Sequence, residues 1–170
     1  MTYYCIMVLT GEEKKFIERA KEIFKDDFSD AKFYFFERKM HTKRRGWFLG
    51  ALFPGYVFFG AEELTPEFFL KLRSVKGFCK ILPDNQNPLK FMGTELEELE
   101  FLIQTGGVLG VSKIQFMPEK KLKVISGPLK GYEGQIVSVN KKRKRITVRS
   151  FLTPDGKTFD LNFEEAELVE

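Results

Sequence analysis

The densest cluster of charge in the chain is a run of five consecutive basic residues: Lys141, Lys142, Arg143, Lys144 and Arg145. Cations this close together repel one another, and phosphate groups would relieve that repulsion. Lys130 and Arg149 flank the run and are expected to extend it into one basic patch. The pattern predicts binding of a structured RNA through its shape and its phosphates. A solvated charged turn and non-specific attraction for nucleic acid remain open alternatives.

Residues that could support catalysis are sparse. His41 is the only histidine, and it lies in a basic segment without a partner carboxylate and nucleophile. Cys5 and Cys79 are far apart, and their apolar neighbours predict that both thiols are buried. No group of Cys, His, Asp and Glu has the spacing of metal ligands. We therefore expect a protein that is not an enzyme and that uses no cofactor.

The first part of the chain alternates between apolar strands and amphipathic helices. Strands are expected over residues 3–9, 31–40, 52–60 and 78–82. Helices are expected to begin at Thr10, with Glu13 completing a capping box, at Thr65-Pro66, and at Thr94. Residues 41–45 are expected to form the basic tip of a hairpin. This alternation predicts a sheet with helices packed against it.

The last part of the chain is predicted to consist of short strands. Runs of strand-forming residues fall at 121–126, 134–140, 145–151, 158–163 and 167–169. Gly127-Pro128 interrupts the first two runs, because proline fixes φ and donates no amide hydrogen. Five short strands predict a small closed barrel. The expected domains are 1–108 and 121–170, with 109–120 as a linker.

Two motifs together resemble those of the NusG family of transcription factors. Residues Gly127 to Val137 resemble the KOW motif, and Leu52 to Phe59, with its Phe-Pro-Gly-Tyr core, resembles a strand of the NusG N-terminal (NGN) domain. The resemblance runs in order through essentially all of the chain. It implies an α+β fold in which an NGN domain, with an antiparallel four-stranded sheet flanked by helices, precedes a KOW domain that is a five-stranded SH3-like β-barrel.

The resemblance also implies a partner for the NGN domain. In the family this domain grips the clamp helices of the largest RNA polymerase subunit. The residues that carry this role over to the present chain line an apolar pocket or stand beside it: Met7, Lys15, Phe53, Pro54, Tyr56 and Phe58. The alternative interpretation is that the aromatic residues among them only form core.

Within the family, the basic run and the segments Gly110 to Lys113 and Ile125 to Gly131 look most like the LoaP-type paralogues. This implies a processive antiterminator whose KOW domain binds a hairpin of nascent RNA. The alternative is a general NusG factor whose barrel docks Rho or a small-subunit ribosomal protein. Phe151 is the candidate docking residue, but the Gly-Arg pair that usually follows it is missing. A ribosome-associated KOW protein with no role at the polymerase is a more distant alternative.

The sequence shows no apolar stretch near the ~20 residues needed to span a bilayer. Two isolated cysteines fit a reducing compartment. We expect a cytoplasmic protein that makes no membrane contact and is a monomer.

Overall fold

The computed structural model describes residues 1–152 and 156–166. The chain divides into two compact units. The first contains Met1–Phe35 and Phe53–Leu96, and the second contains Phe36–Leu52 and Glu97–Glu170. The α+β class predicted from the sequence is confirmed.

The first unit is a four-stranded antiparallel sheet covered by two helices, as predicted. Its strands are β1 (Thr2–Val8), β2 (Lys32–Tyr34), β5 (Tyr56–Ala61) and β6 (Phe78–Ile81), and its helices are α1 (Glu13–Phe24) and α2 (Pro66–Ser74). The strand order is β2-β5-β1-β6, and each neighbouring pair is antiparallel.

The core of the first unit lies between one face of this sheet and the two helices. Phe16, Ala20 and Phe24 recur at every fourth residue of α1, so they share one buried face. Their partners include Phe59 of β5 and Phe68 of α2, whose rings stack with centroids 5.7 Å apart. Each fully buried side chain of this size contributes about 1.5–3 kcal/mol to folding.

The two helix starts of this unit show one correct prediction and one wrong one. Helix α2 is capped as expected, because the Phe68 N–H donates to the Thr65 hydroxyl at 3.1 Å. The capping box from Thr10 to Glu13 does not form. Gly11 turns the chain with a φ of +91°, so Glu12 becomes the N-cap residue and Thr10 lies outside the helix.

The second unit contains two further sheets and a helix. The strands β3 (Glu37–Thr42), β4 (Gly46–Ala51) and β7 (Val108–Leu109) form a sheet in the order β4-β3-β7. The helix α3 covers Gly93–Gln104, and its residues from Glu97 onward belong to this unit. The expected strand over residues 31–40 is therefore two strands. Tyr34 of β2 pairs with Phe58, whereas Glu37 of β3 pairs with Ala51.

The five-stranded sheet of the KOW region has the order β10-β11-β12-β8-β9. Its strands are β8 (Ser112–Phe116), β9 (Leu122–Ser126), β10 (Ile136–Asn140), β11 (Arg145–Arg149) and β12 (Thr158–Glu165). Four of them correspond to the predicted runs. The predicted run at 167–169 lies outside the described residues.

Strand β8 lies inside the segment that the sequence predicted as a linker, 109–120. It pairs parallel with β12 and antiparallel with β9, so both of its edges are hydrogen-bonded. Ile114 and Ser112 are buried, and the Ser112 hydroxyl accepts the Leu129 N–H at 2.9 Å. Gly127 fits here because it has a φ of +96° and a Cβ would lie 2.6 Å from Ser112 Cα. The part of the chain that the structure describes holds no helix long and apolar enough to cross a membrane.

Candidate functional site

The turn between β10 and β11 presents four cations to solvent. Lys141, Lys142, Arg143 and Lys144 are all exposed. The Asn140 side chain accepts the Arg143 N–H at 3.0 Å, and the Lys144 N–H donates to the Lys141 carbonyl at 3.3 Å. These bonds order the turn backbone. The Lys141 ammonium lies 4.0 Å from the centre of the Phe116 ring, a cation–π contact.

The fifth residue of the basic run, Arg145, is held differently. It is half-buried, and its Nη2 donates to the carbonyl oxygen of His41 at 3.2 Å. Arg38 is nearby. Burial lowers the pKa of the Arg38 guanidinium, the charge of Asp160 opposes that shift, and the charge of Arg145 adds to it. Arg145 therefore fastens β11 to β3, and its charge is less available to a ligand than the other four.

Arg149 does not adjoin the turn. Arg149 ends β11, four residues from Arg145, which is about 13 Å along a strand. Lys130 lies in the 3-10 segment Pro128–Gln135, and Gln135 donates its side-chain amide to the Arg149 carbonyl at 2.6 Å. Lys130 and Arg149 are both exposed. The structure thus brings together four of the seven predicted RNA-binding cations at the turn, and places Arg149 at the far end of β11.

The Phe-Pro-Gly-Tyr motif forms a tight turn before β5 rather than a continuous strand. The Tyr56 N–H donates to the Phe53 carbonyl at 3.1 Å, and Gly55 has a φ of +84°. Proline second and a positive-φ glycine third are typical of a type II turn. The Glu13 carboxylate secures this turn by accepting the Gly55 N–H at 2.9 Å. The strand alternation expected through Pro54 is therefore wrong.

The predicted polymerase-binding residues differ in their exposure. Phe53 and Phe58 are buried, with ring centroids 5.6 Å apart, and Phe58 also lies 5.8 Å from Phe91. Met7 and Tyr56 are half-buried register partners across β1 and β5.

Pro54 and Lys15 are the exposed members of the set. The Lys15 ammonium lies 3.8 Å from the Glu12 carboxylate, an exposed ion pair of small energetic weight. Two of the six predicted residues are thus buried, and the other four are exposed or half-buried.

A buried carboxylate that sequence reasoning missed lies in α3. Glu98 accepts the Ser150 hydroxyl at 2.8 Å and the Phe151 N–H at 3.2 Å. Burial raises the pKa of Glu98, and these hydrogen bonds partly offset that shift. The signal for Glu98 was its position four residues before the core residue Leu102, on the apolar face of the helix.

Phe151, the predicted docking residue, keeps 41 % of its surface exposed. Cys5 is buried as predicted, and burial raises the pKa of its thiol. The prediction for Cys79 is wrong, because this thiol is exposed at the start of β6, where its neighbour Phe78 packs on the core instead. Among the described residues, no three Cys, His, Asp or Glu side chains are grouped as a metal site would require.

Comparison with known proteins defines the class to which this fold belongs. The family model described as "Transcription termination factor nusG" matches residues 1–100, and the KOW motif matches residues 123–149. The first match covers more than half of the chain, so the chain belongs to the NusG family, with an NGN and a KOW domain.

A particular relative is the transcription termination/antitermination protein NusG of Thermus thermophilus. It is 23 % identical over 123 residues, which are 67 % of this chain and 65 % of that protein. The chain thus spans about two thirds of the length of this curated relative. The solved structure of Thermotoga maritima NusG, described as showing domain interaction, is similar in fold. It has a TM-score of 0.55 and 16 % identity, and the match covers 95 % of this chain and 93 % of that one.

Proposed function

We propose that this protein is a non-enzymatic transcription elongation factor that binds RNA polymerase with its NGN domain and nascent RNA with its KOW domain. The observation that carries the RNA assignment is the exposed turn Lys141–Lys144. Hydrogen bonds of the backbone order this turn, and within the described residues none of the four side chains has a salt-bridge partner. Phosphates of an RNA stem would relieve the mutual repulsion of the four cations.

The role as a processive antiterminator of the LoaP type follows from this RNA grip. A nascent RNA hairpin would recruit the factor, and the NGN domain would then stay on the polymerase. Because the two domains belong to one chain, the second contact is intramolecular, so weak RNA binding suffices. A factor that binds the closed clamp more tightly than the open one shifts the polymerase toward processive elongation.

The polymerase-binding surface is proposed to consist of Met7, Tyr56, Pro54 and Lys15, a set that we name the rim. Phe53 and Phe58 are buried and would act through packing. A clamp helix laid against an apolar surface is a known recognition mode.

RNA binding is tested with the full chain, because Arg145 and His41 join the barrel to the β3–β4 hairpin. The probes are a pool of RNA stem-loops with randomised sequence and poly-uridine of equal length. The test variant carries Lys141, Lys142, Arg143 and Lys144 changed to Gln. The control variant carries Lys21, Lys32, Lys76 and Lys90 changed to Gln, which removes the same charge from exposed positions of the first unit.

The proposal expects stem-loop binding that the test variant loses and the control variant keeps. Equal losses of stem-loop affinity in the two variants would mean that the turn attracts RNA phosphates only through general charge. Undiminished binding by the test variant would contradict the RNA assignment.

Polymerase binding is tested by titrating core RNA polymerase with the full chain. Tyr56→Ala removes a half-buried ring from the rim, and we expect weaker binding. Leu70→Ala, an equally apolar but exposed change on α2, is the matched control and should bind normally. Normal binding by Tyr56→Ala would remove this rim from the proposal.

A general NusG function is the second candidate, favoured by the exposure of Phe151. Its side chain could dock Rho or a small-subunit ribosomal protein. Phe151→Ala would then weaken co-sedimentation with Rho or with small ribosomal subunits. Full retention of both contacts in this variant would dismiss the candidate.

A further inference from the structure

The tip of the β3–β4 hairpin lies at the same end of the second unit as the basic β10–β11 turn. Arg145, the first residue of β11, donates to the carbonyl of His41 across a sequence separation of 104 residues. The His41 N–H in turn donates to the Asn162 side chain of β12 at 3.4 Å. Strand β3 ends one residue after His41, and the exposed residues 43–45 (Lys-Arg-Arg) follow. Two basic hairpin tips, remote in sequence, thus start from one point of contact.

Beside the hairpin tip stands Trp47, the single tryptophan of the chain. It pairs with His41 across the hairpin, with ring centroids 5.0 Å apart, and it keeps 56 % of its surface exposed. Leu49 follows two residues later on the same strand face and is 48 % exposed. Trp47 and Leu49 thus form a small apolar patch that is open to solvent beside the basic tip.

A cavity opens next to this face. Its volume is about 650 Å³, within the range of small-ligand sites. Its lining combines aromatic, aliphatic and charged side chains: Lys39, Trp47, Phe48, Leu49, Val111 and Glu164. The Arg45 guanidinium lies 3.9 Å from the centre of the Phe48 ring, so the hairpin tip is positioned against the cavity wall.

The chemistry of the lining matches that of a nucleobase. An indole ring offers a stacking surface for any base. The Glu164 carboxylate can accept a base amino group, and the Lys39 ammonium can contact a base carbonyl or a phosphate. The cations of both tips surround this aromatic site with positive charge, which complements a nucleic-acid backbone.

We propose that the cavity holds an unpaired nucleotide of RNA stacked on Trp47, while phosphates of the adjoining stem contact Lys43–Arg45 and Lys141–Lys144. The proposal rests on RNA binding by the basic turn. It adds the feature that the RNA must present: a stem with a looped-out or bulged nucleotide. The RNA site is then composite. Part of it belongs to the β3–β4 hairpin, which lies between β2 and β5 of the NGN sheet in the sequence.

The test uses the fluorescence of Trp47, which no other tryptophan obscures. The full chain is titrated with two RNA stem-loops that differ by one bulged nucleotide, and with DNA of the bulged sequence. We expect quenching and tighter binding with the bulged RNA. Trp47→Ala should weaken its binding roughly 5- to 150-fold, the range for losing one stacked base, and Trp47→Phe should recover much of it. Leu70→Ala controls for the loss of an exposed apolar side chain.

Quenching that is equal for the bulged and the paired RNA would overturn the assignment to an unpaired nucleotide. Equal binding of the DNA would overturn the assignment to RNA. Trp47→Ala could bind the bulged RNA as tightly as the native chain while the variant with Lys141–Lys144 changed to Gln binds it weakly. In that case this inference fails and the proposed function stands. If neutralising Lys141–Lys144 has no effect, the proposed function itself fails.

Discussion

Two regions that the sequence singled out differ in how they expose their side chains. The Phe-Pro-Gly-Tyr motif of the first unit places its aromatic rings inward, and Phe58 keeps only 1 % of its surface exposed. The β10–β11 turn of the second unit places its four cations outward. A run of charged residues therefore predicts an exposed surface from the sequence alone, because unpaired charges are rarely buried. An aromatic cluster does not, because the same rings serve equally well as core or as binding surface.

Truncating the buried Phe58 ring should have the largest effect on the free energy of unfolding. Phe58→Ala removes a fully buried ring, and we expect the free energy of unfolding to fall by about 3–5 kcal/mol. Tyr56→Ala, on the same strand but half-buried, should cost clearly less. Urea unfolding measures both. Equal losses of unfolding free energy in the two variants would show that Phe58 is packed no more tightly than Tyr56.

The glycines of the KOW motif allow a sharper test of packing. A Cβ at Gly131 would lie 2.7 Å from the Phe101 ring, whereas a Cβ at Gly134 would meet nothing within 4 Å. We expect Gly131→Ala to destabilise the chain by about 1–3 kcal/mol, the usual cost of overpacking. Gly134→Ala should be close to neutral. Thermal unfolding of the two variants decides the point, and a neutral Gly131→Ala would refute the contact between α3 and the barrel segment.

Glu98 provides a prediction about pH. Because burial raises its pKa above the ordinary value of 4.5, the folded chain keeps a proton that the unfolded chain has released at the same pH. The contribution of this group to stability therefore declines as the pH rises from about 4.5 through the raised pKa. Glu98→Gln cannot ionise and should lose this decline, so its free energy of unfolding rises relative to that of the native chain across this pH range. Unfolding measured from pH 4.5 to 8 tests this; parallel curves for the two chains would contradict it.

Neutralising the basic turn should have the smallest effect on stability. The four side chains are exposed and repel one another, so changing Lys141–Lys144 to Gln should leave the free energy of unfolding within about 0.5 kcal/mol, or raise it slightly at low salt. Urea midpoints of the native and neutralised chains check this. A loss well above 1 kcal/mol would mean that the cations hold the fold and are not free for a ligand.

Much of the fold could be predicted because its signals are local. The spacing of Phe16, Ala20 and Phe24 specified α1, and Thr65-Pro66 specified the start of α2. Strand β8 could not be predicted, because Ser112–Phe116 lies between Gly110 and Pro118 and becomes a strand only through pairing with β9 and β12. The split of residues 31–40 likewise depends on partners distant in the sequence.

The candidate sites show the same limit. The four cations of the turn were evident from their spacing. The predicted strand over residues 145–151 already separated Arg149 from Arg145 by about 13 Å, and the expected single patch overlooked this distance. The partnership of Arg145 with His41 joins residues too far apart for any local pattern to suggest. Trp47 was visible in the sequence, yet only the contact between β3 and the barrel strands places it beside the basic turn.

The central claim is that the exposed turn contacts RNA phosphates, and the dependence of RNA affinity on salt tests it most directly. The stem-loop affinity of the native chain and of the variant with Lys141–Lys144 changed to Gln is measured between low and moderate salt. Each lost phosphate contact lowers the slope of log affinity against log salt by roughly 0.7–0.9, so the account predicts a slope shallower by about 3 for the variant. Equal slopes for the two chains would contradict it.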